Sequence, residues 1–274
     1  MLEKFKYINH LGEELVFGEF PLFANENELR DFEWKSKSKN NKITSFERGI
    51  VSKTIPLIIK CQSKNEGYEI RNRRFEVFEK DRLAMKHGKI IVGDYYLKCF
   101  VTASSKVDYL ISKQYMQLGI TIETDLPEWV KETTILFRAN ASGGASFLDF
   151  PYDFPYDFKN DLVSGEVVNT NFVASNFRMT IYGACINPTV YIGGHEYSVD
   201  VDIGNGEFLT INSVEKTIVL TKVNGEKVNC FNKRNKDSYI FEKIPTGTNI
   251  TTAPNEGISF DITLLEERSE PKWT

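Results

Sequence analysis

Histidine is scarce in this chain, and what there is does not cluster. His10, His87 and His195 lie far apart, and none belongs to an H-E-x-x-H or comparable metal-binding spacing. Cysteine is nearly as rare. Cys61, Cys99, Cys185 and Cys230 form no C-x-x-C pair and no compact secreted framework, so they read as buried free thiols, not disulfides or metal ligands. Charge of one sign is also missing. A net charge of −4 advertises no basic surface for nucleic acid. No apolar run approaches the ~20 residues that span a bilayer, and the opening MLEKFKYINHLGEE has no apolar stretch of signal-peptide length. The expectation is a protein made and released in the cytoplasm without membrane insertion.

The familiar catalytic signatures are absent too. There is no G-x-S-x-G and no phosphate-binding loop, so acyl transfer and nucleotide chemistry lack their residues. The segment Asp200 to Glu207 superficially suits calcium. An EF-hand-type loop, however, needs a ligand at its fifth position and an acid at its twelfth, where this chain has Gly204 and Ile211. A Gly204-Asn205-Gly206 turn between strands is the better reading. His195, in Gly193-Gly194-His195-Glu196, reads as a turn leading into a strand. Paired carboxylates for glycoside cleavage are recognised only by their separation in space, which the sequence does not give. Catalytic, cofactor-binding and metal residues are therefore none, and carbohydrate-binding residues are unknown.

What is present is a globular composition, 41% hydrophobic and 26% charged, over 274 residues, enough for one large or two ordinary domains. In the first half, alternation over residues 54–61 predicts a strand, with Pro56 near its start or at a sheet edge. A helix is predicted over about 74–87, with Asn72 as its cap, Phe75, Phe78 and Met85 on its apolar side, and Gly88 just past its end. Residues 89–103 read as a hairpin turning at Gly93-Asp94. Further strands are expected at 118–124 and 134–139, before NASGGAS (140–146) breaks the pattern. From 167 to 266 short strand-like runs follow one another closely, with Asn224-Gly225 as a two-residue type I′ hairpin signal between 217–223 and 226–231. No helical period is visible there, which predicts an antiparallel sandwich.

Between the halves stands DFPYDFPYDF, residues 149–158. Pro151 and Pro155 exclude a helix, and Phe150 and Phe154, each before a proline, are pushed towards extended conformations. The result is an aromatic strip carrying five rings and three aspartates, with the composition of an anchored connector. Trp34, Trp129 and Trp273 could stack on sugars if exposed on a sandwich, although aromatics in β proteins are more often core. The Arg71, Arg73 and Arg74 cluster reads as the solvated start of the predicted helix.

Taken in order, these segments resemble the distal tail proteins of phages infecting Gram-positive bacteria, also found in prophages and phage-tail-like particles. The resemblance rests on Phe32-Glu33-Trp34 followed by a polar run, on RFEVFEKDRLAMKHGKIIVGDYY (74–96), and on the aromatic strip. It continues through Ile181-Tyr182-Gly183, Asn187-Pro188, Ile192-Gly193-Gly194, the run Phe241 to Asn249, and Glu267 to Trp273. It implies a mainly β chain with a minor α component. Residues 1–148 would be a ring-forming domain, 149–165 an aromatic connector, and 166–274 a galectin-like antiparallel β-sandwich. It further implies a homo-hexameric ring at the virion tail tip, joining the tail tube protein to tail-tip and receptor-binding proteins, with no catalytic residue and no cofactor. The rival readings are a carbohydrate-binding module for host wall sugars and a wall-degrading hydrolase.

Overall fold

The computed structural model describes residues 4–109, 115–138, 163–255 and 258–273. The strip at 149–158 and the break at 140–146 lie outside the described residues. The chain divides into two compact units, Met1–Lys131 with Glu267–Thr274, and Glu132–Glu266.

In the first unit the elements run β1 (Phe5–Ile8), β2 (Glu14–Phe17), β3 (Leu22–Ala24), β4 (Lys35–Lys39), β5 (Lys42–Glu47) and β6 (Val51–Lys60). Then come α1 (Lys64–Ala84), β7 (Gly88–Val92), β8 (Tyr95–Tyr109), β9 (Tyr115–Thr124) and the first residues of β10 (Trp129–Phe137), which from Glu132 onward belongs to the second unit. The strands pair in the orders β2-β1-β7-β8 and β3-β6-β9-β8, all antiparallel. The long β8 serves both ladders, pairing β7 through Tyr95–Cys99 and β9 from Phe100 onward, where register shifts bend it. The inward sides of these strands, with Tyr7, Phe17, Ile55, Leu97, Ile122 and Trp129, make one core that α1 joins through Val77 and Phe78.

The helix differs from its prediction at both ends. It begins ten residues earlier, because Ser63 caps it: the Ser63 Oγ accepts from the Glu66 N–H at 3.2 Å, and the Glu66 carboxylate accepts from the Gln62 N–H. Asn72, the expected cap, lies inside it. The helix ends at Met85, which takes the left-handed conformation (φ 49°) and lets the Met85 and Lys86 N–H groups close on Arg82 and Asp81 carbonyls. Gly88 is instead the first residue of β7. A side chain there would overlap the Tyr7 hydroxyl and the Asp81 carboxylate.

That carboxylate fastens helix to sheet. Asp81 is fully buried and accepts from the Tyr7 hydroxyl (2.5 Å) and the His10 backbone N–H (2.8 Å), with the His10 ring Nδ1 at 2.5 Å. Burial and the neighbouring carboxylate together push the Tyr7 hydroxyl far above its usual range. Pro56 sits mid-strand, not at the start of β6. Its carbonyl accepts from the Asn25 N–H just where β3 ends, so its missing donor costs one bond at the end of a short ladder and leaves the β6–β9 pairing continuous.

In the second unit the elements are β11 (Val163–Asn169), β12 (Asn176–Tyr182), β13 (Cys185–Ile186), β14 (Thr189–Ile192), β15 (His195–Ser198) and β16 (Asp202–Ile203). They are followed by β17 (Phe208–Asn212), β18 (Thr217–Thr221), β19 (Lys227–Asn229), a single 3-10 turn, β20 (Gly247–Ala253) and β21 (Ser259–Arg268). One sheet runs β19-β18-β17-β12-β21-β10 and the other β11-β20-β14-β15. Both contribute alternate residues to a single core, among them Val167, Phe177, Val190, Tyr197, Leu209 and Phe260. This is the expected antiparallel sandwich, in a mainly β chain with one α-helix among the described residues.

Two turns differ from their predictions. The 204–206 turn forms, with the Glu207 N–H donating to the Gly204 carbonyl, but it joins no hairpin: β16 pairs with β13, and β17 with β12 and β18. The β18–β19 loop holds three residues, Val223, Asn224 and Gly225. The Gly225 N–H donates to the Lys222 carbonyl, the Lys222 N–H to the Glu226 carbonyl, and only Gly225 is left-handed (φ 83°). That is a type I turn closed by a left-handed glycine, not a type I′ pair. The four cysteines are free and buried, and burial raises the Cys61, Cys99 and Cys185 thiols above their usual range.

Gly225→Val should cost about 1–2 kcal/mol, because a β-branched side chain is forced into the left-handed region, and urea unfolding would show it as a lower midpoint. Asp81→Leu should cost about 2–4 kcal/mol by stranding the Tyr7 hydroxyl and the His10 N–H. Adding Tyr7→Phe should recover part of that loss, whereas strictly additive losses would dissociate the two groups.

Candidate assembly surfaces

The β4–β5 ribbon has no counterpart elsewhere in the described residues. Its strands pair only with each other, and every residue in both is exposed. Asn40 and Asn41, with φ of 54° and 57°, make the tight turn between Lys39 and Lys42. Four lysines (35, 37, 39 and 42) against one acid, Glu47, guard its edges from indiscriminate pairing. Ile43 and Phe46 nevertheless stand 62% and 58% exposed. A two-stranded ribbon of this length is marginal alone in water, so these apolar side chains call for a partner surface.

Its base is fastened. The Arg48 guanidinium lies 4.3 Å from the centre of the Trp34 ring, donates to the Pro127 carbonyl at 2.8 Å and sits 3.8 Å from Glu128. Burial depresses the Arg48 pKa and raises that of Glu128, each offset in part by the other's charge. Nearby, Trp34 Nε1 donates to Ser269 Oγ, while Arg30 donates to the Pro271 carbonyl and stacks on Trp273. The segment after β21 thus closes over the root of the ribbon. Sequence reasoning noted Phe32 to Trp34 and the end of the chain as separate marks but did not join them, since 235 positions separate Trp34 from Ser269.

A second feature runs beside α1, where a small groove of about 40 Å³ is floored by Leu57, Ile59, Leu118 and Ile120. Its rim carries Arg71, Arg74 and Arg82 around Phe75, which is 44% exposed. The arginine cluster therefore lies within the helix, not before it. Arg82 pairs with Glu79. Arg74 has one bond, to the Ile70 carbonyl; its Nε is buried without a partner, and burial beside Arg73 brings its pKa down to about 10.

No family model matches the sequence, and no curated protein does. Solved structures do. The Dit protein of phage SPP1, described as a paradigm of the hub adsorption apparatus in Gram-positive infecting phages, matches with a TM-score of 0.59 at 10% identity, covering 96% of this chain and 99% of that one. A chain of the phage P2 baseplate in its activated conformation with calcium matches at 0.59 and 12% identity, covering 99% and 100%. The corresponding strontium structure matches at 0.61 and 12% identity, covering 98% and 99%. The fold is that of the phage distal tail proteins.

Within this distal tail fold the remaining sequence candidates fall into structural places. His195 follows the Gly193-Gly194 turn of the β14–β15 hairpin. Its Nε2 lies 3.0 Å from the Tyr239 carbonyl and 3.2 Å from Ser238 Oγ, and its ring packs edge-on against Tyr197. His10 belongs to the Asp81 cluster and His87 pairs with Asp125. No group of three or more His, Cys, Asp or Glu among the described residues is placed to hold a metal. All three tryptophans fall in the first unit, so none supplies a stacking platform on the sandwich, and Trp129 is fully buried. No helix among the described residues is long and apolar enough to cross a membrane.

Arg48→Met should remove the stacking on Trp34 and leave Glu128 without its cation, costing about 1–2 kcal/mol. Limited proteolysis should then cut faster within 35–47, and an unchanged digestion pattern would show that the ribbon's root does not depend on Arg48.

Proposed function

We propose that this protein is a structural component of a phage or prophage-derived tail tip, and that copies of it close into a six-membered ring. The first unit supplies the ring contacts, and the second serves as an adaptor surface. The β4–β5 ribbon carries this reading. It is a rooted, lysine-edged, fully exposed arm whose Ile43 and Phe46 have no surface to cover within the described residues. An arm on one copy meeting a different surface on the next is a heterologous contact, and such contacts close into rings. The distal tail fold supports the same reading.

On this proposal residues 1–148 act as the ring-forming part, 149–165 as the connector and 166–274 as the adaptor. The partners are the tail tube protein, tail-tip proteins and receptor-binding proteins, and the protein's place is the virion tail. The role is geometric, with no catalysis. Sugar recognition is the weaker alternative, because the second unit, residues 132–266, has no tryptophan to present.

Light scattering tests the ring directly. The full chain should reach about six times its 31.4 kDa mass as concentration rises, and Ile43→Glu with Phe46→Lys should return it to a single copy without loss of folded signal. A parent protein that stays at one copy at every concentration, alone and with tail-tube protein, would sink the proposal.

A further inference from the structure

The α1 groove combines two features that no contact among the described residues satisfies. Its apolar floor is open at Phe75, and two arginines on its rim, Arg71 and Arg74, have no acid paired with them among the described residues. The acids across the adjacent hollow are already engaged, Glu14 by Lys6 and Glu19 by Lys4. At about 40 Å³ the groove is far below the ~300 Å³ of a small-molecule site. It has room for the edge of a ring presented by another polypeptide. Its occupant should therefore carry aromatic side chains and carboxylates in alternation.

One segment of this chain has that composition. Residues 149–158 place an aspartate every fourth position, at 149, 153 and 157, with aromatic residues between them. The spacings agree. Any four residues in extended conformation span roughly 13 Å. Arg74 and Arg82 are eight residues apart on a helix, roughly 12 Å along its axis. Two successive aspartates can thus meet the two arginines while the ring between them rests on Leu57, Leu118 and Phe75.

We propose that the α1 groove is the docking site for the aromatic strip 149–158 of a neighbouring copy of this chain. The choice of a neighbouring copy rests on the ring reading above, since groove and strip are different surfaces and make a head-to-tail contact. Arg74 takes one aspartate as a charge-assisted pair, and Arg82 exchanges Glu79 for the next.

Photo-cross-linking between distinguishable copies tests this. Full-length protein carrying p-benzoylphenylalanine in place of Phe154 is mixed with an equal amount of isotope-labelled, unmodified protein, and cross-linked peptides are read by mass spectrometry. Cross-links should join the probe to labelled peptides covering residues 71–82. Arg74→Gln in the labelled copy should cut their yield about tenfold. Asp149→Asn with Asp153→Asn in the probe copy, which leaves the helix untouched, should do the same. Cross-links confined to one copy, or mapping away from α1, would overturn the proposal. If the mixture assembles normally by light scattering yet gives no α1 cross-link, the docking inference fails and the ring stands. If it remains monomeric, the ring reading fails with it.

Discussion

The first unit depends on a buried carboxylate. Asp81 has no exposure to water and is tolerable only because the Tyr7 hydroxyl, the His10 backbone and the His10 ring converge on it from the β1 end of the sheet. Those bonds set the rotation of α1 about its axis and hence which side chains it turns outward. With Asp81, Val77 and Phe78 inward, Arg71, Phe75 and Arg82 are left along the groove. The same packing dictates Gly88, since any larger residue would displace the Tyr7 hydroxyl from the carboxylate. The flanking turn is held by the same economy of bonds: Asn9 accepts from the Leu11 and Glu13 N–H groups, and Glu13 in turn takes Lys80 from the helix.

The ribbon and the groove stand out by the apolar and cationic groups they leave exposed. Lys53 shows how thoroughly buried charge is handled elsewhere. It occupies an inward position of β6, where burial lowers its pKa, and its ammonium donates to the Glu28 and Asp31 carbonyls. Arg74 is not treated this way, and neither are Ile43 and Phe46. The interior is not complete either: the Tyr95 hydroxyl and the Trp129 Nε1 are buried without a partner among the described residues.

Much of the local structure was legible in the residues. Gly93-Asp94 and Gly193-Gly194 mark hairpins wherever they fall, because their turns need conformations that few other pairs supply. The close succession of short alternating runs beyond 167 was enough for the sandwich. Other features were legible but missed. Ser63 to Glu66 is a helix-starting signature, overlooked because the first turns of α1 have little apolar periodicity, with Gly67 the only buried residue before Val77. Asn40-Asn41 marks the ribbon's turn between β4, which alternates lysine with serine, and β5, whose Ile43 and Phe46 do not follow the two-residue alternation by which strands are usually recognised. At Asn224-Gly225 the residues pointed to a hairpin, but the pairing of Lys222 with Glu226 decided that the loop has three residues and not two.

The sequence by itself determined the class of the molecule: mostly strands, one helix, free thiols, no recognised catalytic motif, and an ordered set of segments like those of distal tail proteins. These follow from local backbone preference and alternation, which act over a few residues. Tertiary structure alone decided that Tyr7, His10, Asp81 and Gly88 meet, that Trp34 and Arg48 are joined by Pro127, Glu128 and Ser269, and that Arg74 is left without an acid among the described residues. Those outcomes depend on which distant strands lie side by side and on how much water they exclude, and the value of a charge or a hydroxyl changes with that burial. No spacing along the chain encodes it.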